Sequence, residues 1–491
     1  MKNLIKLISI LFLSTSIFTT FAQNLESDAI KFGTNNNDGT ARSVAVGGAT
    51  SAVGADITNI GYNPAGVGVY NSSVIVLTPS AEWTKSDAKF STSSLQNQTS
   101  KFNISNAGAI IYIKNKNFSA LRNFNIGLSF QTQNSFNQIN EFNRNTNQSI
   151  TNNWVSEAVN INGSTDGAVD YDKFSFETVG AYYSYLVNFD SSQMTYTSPI
   201  NSTVNQRSLS TVKGASRELN FALGTNLWDK LYIGGAISVP LISYYNTTLF
   251  YEEDKLNVNG DFEDFKLSNE YKNTGSGFNA KIGFIYKPVS VLRLSAGIQS
   301  SSRLNMTEEY NSDFITNFET VSYVNQSSLG KFEYVLITPW RANAGLALVH
   351  QKLGFVSFDY EMVDYGATKF KFQEDYKPLA DALNANMAKK YIIAHNFKMG
   401  LESKIKNFRV RAGYNMQTSP LKESYREGKN DFSRQQFSGG VGYVWKRISL
   451  DATYRYSMSK EFEVSYDGVN GISKNTDTQL FLVSLGVKLS K

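Results

Sequence analysis

The sequence predicts an all-β protein: a 14-stranded antiparallel transmembrane β-barrel with an N-terminal plug in its lumen and long, partly helical extracellular loops. Three observations carry this expectation. Segments of alternating polarity are joined by short and long links in strict turn. One parity of these segments is apolar while the other carries charge. The stretch ahead of the first segment does not alternate at all and is rich in small residues. Outer-membrane barrels have short periplasmic turns, long extracellular loops and an even strand count. A large two-sheet soluble protein, the competing reading, has no reason to gather its long loops at one end.

Residues 1–22 read as a secretory signal peptide. Lys2 and Lys6 supply a positive start, Leu7 to Phe18 an apolar middle, and Thr20-Phe21-Ala22 a small-residue end before Gln23. The 491-residue chain has no Cys, which removes a lipoprotein anchor, a disulfide framework and thiol chemistry. Its net charge is +5, from 47 Lys and Arg against 42 Asp and Glu, and losing Lys2 and Lys6 leaves +3. That balance argues for no nucleic-acid partner. No later run reaches the roughly 18 apolar residues of a transmembrane helix, and charge is spread throughout, which excludes a helical membrane protein.

Residues 23–72 form the expected plug. Ala41-Arg42-Ser43-Val44-Ala45-Val46-Gly47-Gly48-Ala49 is small and Gly-rich, and Gly61-Tyr62-Asn63-Pro64-Ala65-Gly66-Val67-Gly68-Val69-Tyr70 follows. Small residues allow close backbone packing. Asn63, ahead of Pro64, is pushed out of the α region, so a compact turn is expected there. On physical grounds this is a tight, irregular unit that covers a polar inner wall, or else a surface extension.

The run Gly39 to Ala49, followed by Tyr62-Asn63-Pro64-Ala65-Gly66, resembles the N-terminal hatch of FadL-type outer-membrane transporters. Asn63, Pro64, Ala65 and Gly66 stand at that family's hallmark motif, about fifteen residues beyond the Gly-Gly-Ala run. The resemblance covers the hatch closely and the strand layout generally. It implies residence in the outer membrane of a Gram-negative cell and passive uptake of hydrophobic compounds, long-chain fatty acids or aromatic hydrocarbons. The same family includes a shuttle subunit of a gliding-type secretion system, so a secretion-system partner or a structural barrel without transport is the alternative. The chain ends Leu489-Ser490-Lys491, where members of that family end in an aromatic residue.

Residues 73–491 are the expected barrel. Strand-like stretches fall near 73–83, 106–115, 123–133, 215–227, 230–246, 275–287, 291–303, 333–348, 353–365, 394–404, 407–418, 435–446, 448–460 and 478–490. In the last, Phe481, Val483, Leu485, Val487 and Leu489 share a parity opposite Ser484, Gly486 and Lys488. In the eleventh, Phe408, Val410, Ala412, Tyr414 and Met416 alternate with Arg409, Arg411, Gly413, Asn415 and Gln417. Side chains change face at every strand residue. The apolar parity therefore faces lipid and the charged one the lumen. Trp83, Trp228, Trp340, Tyr443 and Trp445 are placed for interfacial belts. Lys281, Arg293, Arg341, Asp359, Glu361, Lys398, Glu402, Arg409, Arg411, Asp451 and Arg455 face inward, mixed in sign, and are expected to bridge across the lumen and to Arg42 and Asp56 of the plug.

The connection at 134–214 is the longest. Val179, Tyr182, Tyr183 and Leu186 recur at helical spacing. Trp154, Phe174, Phe176, Tyr182, Tyr185 and Leu186 are the candidate ligand-binding residues, as the lining of an apolar groove at the extracellular mouth. The bland alternative is a helix that simply packs its own cap over the barrel. A second loop helix is expected at 378–391, with Pro378 near its start.

Chemistry beyond binding has little support. The two histidines, His350 in a short turn and His395 at the start of the tenth strand, belong to opposite ends of the barrel. No shared metal site follows, and no nucleophile–base cluster can be built around either. The expectation is a non-enzyme with no catalytic residues, no metal and no cofactor. Its partners are a fatty-acid-like hydrophobic small molecule and outer-membrane lipid, and it works as a monomer.

Overall fold

The computed structural model describes residues 19–489 apart from 37, 91–92, 116–119, 172, 427–431 and 464–471. Lys2, Lys6 and the apolar run to Phe18 of the expected signal peptide lie outside the described residues. The wall strands are β1 (Val74–Phe90), β2 (Ser93–Lys114), β3 (Leu121–Ser135, resuming as Gln138–Thr146) and β4 (Val204–Leu227). Then come β5 (Leu231–Glu253), β6 (Phe262–Tyr286), β7 (Leu292–Gln299, resuming as Arg303–Phe318) and β8 (Gly330–Ile337, then Arg341–His350). β9 (Gly354–Asp364, then Lys369–Lys371), β10 (Ile393–Ile405) and β11 (Phe408–Gln417) follow. β12 (Arg434–Trp445), β13 (Ile448–Glu463) and β14 (Ile472–Lys488) complete the wall. Every pairing is antiparallel with the next strand in sequence, and β1 pairs with β14 in register Leu77 to Leu485, closing a 14-stranded barrel.

The outward parity is a continuous apolar band. On β5 the outward series runs from Leu231 to Leu241, with Ile237 63% exposed. At about 3.3 Å per residue and the usual tilt of roughly 40°, ten steps rise about 25 Å, the height of a barrel's lipid-facing band. Trp228 and Trp445 stand exposed at the short-turn end and Trp83 is exposed on β1. Among the described residues no helix is long and apolar enough to cross a membrane.

The strands reach further than the sequence led us to expect. β4, β5 and β6 have 24, 23 and 25 residues, whereas β11 has 10. β4 begins at Val204 rather than near 215, and β6 at Phe262 rather than near 275. Above the band the faces reverse: Arg207, Lys266 and Glu270 point out while Phe250, Phe265 and Leu267 are buried inside. A search for lipid-out alternation stops where that reversal begins. The inner faces of these extensions are covered by the 147–203 connection, which carries α3 (Thr151–Asn162) and α4 (Phe176–Tyr183). The long connection is thus shorter than 134–214, because β3 resumes and β4 starts early. The expected helix ends at Tyr183, since Tyr185 takes a left-handed φ of 60° and the amide of Leu186 bonds back to Ala181 O at 2.9 Å. That is a helix-terminating Schellman arrangement. Leu186, past the helix, is still fully buried. The second loop helix, α5 (Lys377–Lys390), lies where expected, with Pro378 in its first turn.

Candidate functional site

The N-terminal segment touches the inner faces of strands around the ring. It comprises α1 (Thr19–Gly33), α2 (Ala41–Ala45) and two 3₁₀ turns, Ile57–Gly61 and Pro64–Val69. Short polar side chains start each turn of backbone: Thr40 Oγ accepts from Ser43 N at 3.0 Å, Asp56 from Thr58 N at 3.0 Å and Asn63 from Ala65 N at 3.2 Å. Asn63 and Pro64 therefore act together, one capping and the other pre-set for the first helical position. Asn63 Nδ2 also reaches Ser51 O and Phe284 O, both at 3.4 Å, tying the turn to β6. Ala65 is fully buried against Tyr232 and Ile285, and a Cβ on Gly66 would stand 2.8 Å from the Asn59 side chain.

The wall accepts this segment by thinning itself. Gly224, Gly234 and Gly283 are cross-strand neighbours on β4, β5 and β6; the first two face the 64–68 backbone, and Gly283 faces the Asn63 side chain and the Pro64 ring. Gly400 and Gly413 are neighbours on β10 and β11 under Val46 and Gly47; a Cβ on Gly400 would lie 2.7 Å from Val46 O. Glycine inside a strand is unfavourable unless another backbone must come close.

Inward charges bind the rest. Ser51 N donates to Asp359 at 2.8 Å, Arg42 stands 3.5 Å from Glu402, and Arg455 pairs with Asp38 at 2.7 Å. Around the wall, Lys281 meets Glu218 at 2.6 Å, Lys398 meets Glu361 at 3.2 Å, and Arg411 meets Glu402 and Asp451 at 2.7 Å each. Arg341 lies 3.6 Å from Glu361, and Arg293 bonds the Val53 carbonyl. Asp56, expected to join this network, is instead occupied inside the segment by the Thr40 hydroxyl and the Thr58 amide. Arg409 sits at the short-turn end, donating to Lys406 O and Phe408 O.

α1 rises from the lumen to the loops, crossing the Ala22–Gln23 junction of the expected signal peptide and plug. Leu25, Ala29 and Phe32 pack with Tyr244, Leu304, Leu336, Leu383 and Met387, and Lys390 of α5 meets Glu26 at 2.8 Å. Lys31 donates to Asp28 at 2.9 Å and to the Tyr244 hydroxyl at 3.0 Å. Burial alone would lower the Lys31 pKa; the Asp28 carboxylate and Tyr244 outweigh it and hold the ammonium above its ordinary range.

Above this floor lies a cavity of about 1510 Å³. One wall, from β3 to β8 and the loop helices, is largely aromatic: Phe136, Phe142, Phe176, Tyr244, Tyr310 and Phe332 line it. The facing wall, from β11 to β14 and β1, is polar, with Arg434, Arg455, Ser457 and Thr476. Of the residues singled out from sequence, Trp154, Phe174 and Phe176 border this cavity. Trp154 and Phe174 are each 5% exposed and belong to the core beneath the cap, which also includes Leu186. Tyr182 packs against the same core, and Tyr185 is half exposed against Tyr323, at 4.3 Å between ring centroids. Tyr182, Tyr185 and Leu186 stand away from the cavity lining. Sequence reading missed the polar wall and the part played by α1. The signal for the first is the Arg455, Ser457, Ser459 series on one parity of β13.

Glu157 and Glu177 also line the cavity. Glu157 accepts from Ser175 N at 2.7 Å and Thr178 Oγ at 2.5 Å, so α3 is bonded to the start of α4. Burial pushes the Glu177 carboxyl up, and Glu157 adds to the shift. His395 faces outward from β10, 2.7 Å from the Tyr360 hydroxyl, whereas His350 ends β8 at the other rim. Among the described residues no group of three His, Asp or Glu is arranged to hold a metal ion.

No family model matches the chain, and no curated protein does. Solved structures do. A Pseudomonas aeruginosa FadL homologue is 13% identical with a TM-score of 0.55, covering 93% of this chain and 98% of the other. The Pseudomonas putida toluene transporter TodX is 12% identical at 0.53, covering 93% and 100%. The Ralstonia pickettii toluene transporter TbuX is 14% identical at 0.50, covering 92% and 99%. At such identities the likeness is one of fold.

Proposed function

We propose, for a chain that carries the FadL-type barrel fold, that it is a Gram-negative outer-membrane channel for passive uptake of hydrophobic compounds, long-chain fatty acids or aromatic hydrocarbons among them, with residues 23–72 as its hatch. The observation that supports this reading is the cavity of about 1510 Å³. It has an aromatic wall, sits at the loop end of the barrel, and is floored by the lumenal segment. A ligand pocket is concave, mainly apolar and furnished with a few placed polar groups. Solute captured there would leave once the segment shifts. The segment is held by capped turns, glycine seats and ion pairs rather than by covalent bonds.

Phe142 and Phe176 are partly buried, line the cavity from two elements, and are the residues to test. Each ring covered by ligand contributes on the order of 1–3 kcal/mol. The variant with Phe142→Ala and Phe176→Ala should therefore bind a fluorescent fatty acid at least about ten-fold more weakly. Heat-modifiable gel migration checks that the barrel still folds. Unchanged affinity in the folded variant would take the aromatic wall out of the binding site.

A further inference from the structure

We propose that the short-turn rim of the barrel is a binding ring for anionic phospholipid head groups of the periplasmic leaflet. The proposal rests on the outer-membrane reading and is independent of what the cavity binds.

Each short turn carries a lysine: Lys114 between β2 and β3, Lys230 between β4 and β5, Lys287 between β6 and β7, Lys352 between β8 and β9, Lys406 between β10 and β11, and Lys446 between β12 and β13. Lys488 closes the ring at the seam, where it pairs in register with Val74 of β1. Across the turns at 114–122, 228–230, 287–291, 351–353, 406–407 and 446–447, Asp229 is the one Asp or Glu. Arg122 takes it, at 3.1 Å. Among the described residues none of the six turn lysines is in an ion pair. At the loop end, by contrast, Arg207 is matched by Glu141 at 2.9 Å, Lys272 by Glu309 at 2.8 Å and Lys331 by Glu333 at 2.6 Å.

Two of the lysines stand where conformation argues against them. Lys406 and Lys446 have left-handed φ values of 55° and 51°. Tight hairpin turns that need positive φ favour Asn and Gly. What Lys brings to these positions, and Asn or Gly does not, is charge.

The neighbours of the ring say what it faces. Ile113, Trp228, Val289, Leu353, Ile405 and Trp445 each lie within two residues of one of these lysines and are 44–67% exposed. An apolar side chain on the lipid-facing band with an ammonium just beyond it is an interfacial arrangement: stems lie along hydrocarbon and heads reach the polar layer. Lys446 Nζ stands 5.0 Å from the centre of the Trp445 ring, so cation and belt residue are adjacent. A soluble acidic protein would dock on one sector of the rim. The lysines run round all of it, as annular lipid does. Short turns face the periplasm, so the layer beside them is the inner leaflet. Its anionic heads are phosphate diesters, and Lys and Arg clustered at a membrane surface are drawn to such heads within about a Debye length, roughly 10 Å at 0.1 M salt.

The test is tryptophan quenching of the full-length protein in phosphatidylcholine vesicles that contain either brominated phosphatidylglycerol or brominated phosphatidylcholine. Trp228 and Trp445, both exposed, report from this rim. Phosphatidylglycerol should associate about three-fold or more tightly than phosphatidylcholine at low salt, and about equally near 1 M salt, where the Debye length is about 3 Å. Replacing the six lysines by Gln should bring the low-salt ratio to within about 1.5-fold of unity. If that variant fails the heat-modifiable migration check, Lys230→Gln, Lys406→Gln and Lys446→Gln together should remove about half of the preference. A preference that survives these substitutions overturns the proposal. Equal association of the two lipids with the parent at low salt also overturns it, and leaves the rim to an acidic protein. A preference abolished by glycerol phosphate, but not by chloride at equal ionic strength, overturns the lipid as the source of the phosphate. No quenching by either lipid overturns the outer-membrane reading as well.

Discussion

Gly413 has only a hydrogen where any other residue would place a carbon against the backbone of Gly47. Neither chain can give way there, because Gly413 is held in the β10–β11–β12 ladder and Gly47 is held at a φ of 66° between bonded turns. Gly413→Val should cost about 1–3 kcal/mol of seating energy by overpacking. The wall strands keep all their hydrogen bonds, so the barrel should still form and run as a heat-modifiable band, while single-channel conductance rises. A conductance equal to the parent's would show that this contact does not hold the segment. At this scale the sequence is legible for wall residues and poorly so for their partners. Gly413 announces itself by breaking a charged parity, but only the fold shows what it makes room for. Asp56 illustrates the same limit: its charge suggested a lumen ion pair, while its use is to cap a 3₁₀ turn.

At the scale of elements, α3 and α4 act as one cap, joined by Glu157 and packed on β6 and β7 through Trp154, Phe265 and Phe314. Glu177 lies beneath it, in bonding reach of Asn269 at 3.3 Å. Its carboxyl is raised by burial, so the folded cap holds a proton that the unfolded segment gives up. Stability is then greatest at low pH and is lost as pH climbs from the ordinary carboxylate value, about 4.3, through the raised folded one. Amide exchange across 176–183 should quicken, beyond the intrinsic rate, as pH rises above the ordinary carboxylate value of about 4.3, and Glu177→Gln should remove that excess. An excess that survives the substitution would assign the effect elsewhere. The fourteen wall strands and both expected helices were legible because each keeps one periodicity over enough residues. α3 and the upper halves of β4 to β7 were not. α3 lies in an Asn-rich stretch whose only strong marker is Trp154. The upper strands reverse their faces, since above the membrane the apolar side must turn inward to meet the cap.

At the scale of the whole molecule, the barrel and the N-terminal segment are complementary halves: an inner wall of polar and glycine residues, and an insert that supplies the missing bulk. Deleting residues 25–70 should leave a wall that still closes through β1 and β14, since those pairings do not involve the segment. In a planar bilayer the shortened protein should conduct as an open pore, several-fold above the intact chain. Conductance unchanged by the deletion would mean that the loops, rather than the segment, obstruct the lumen. The expectation of a lumenal insert came from the contrast between a non-alternating stretch and the alternating chain behind it. The polar cavity wall was not foreseen, because lumen-facing Ser, Thr and Arg look alike in sequence whether they meet a plug, water or a ligand.

The glycine seats also carry a history. A wall position that faces backbone at van der Waals range cannot drift by itself, since the first added methyl has nowhere to go. Change at Gly400 or Gly413 has to be matched by change at Val46 or Gly47, and change at Gly234 or Gly283 by change at Asn63 or Pro64. Lipid-facing residues are under no such restraint, because acyl chains accept any apolar shape. Descendants of this gene should therefore mutate freely on the outside of the barrel and in matched pairs on the inside. Covariation between two stretches hundreds of residues apart would be the record of one having been moulded against the other.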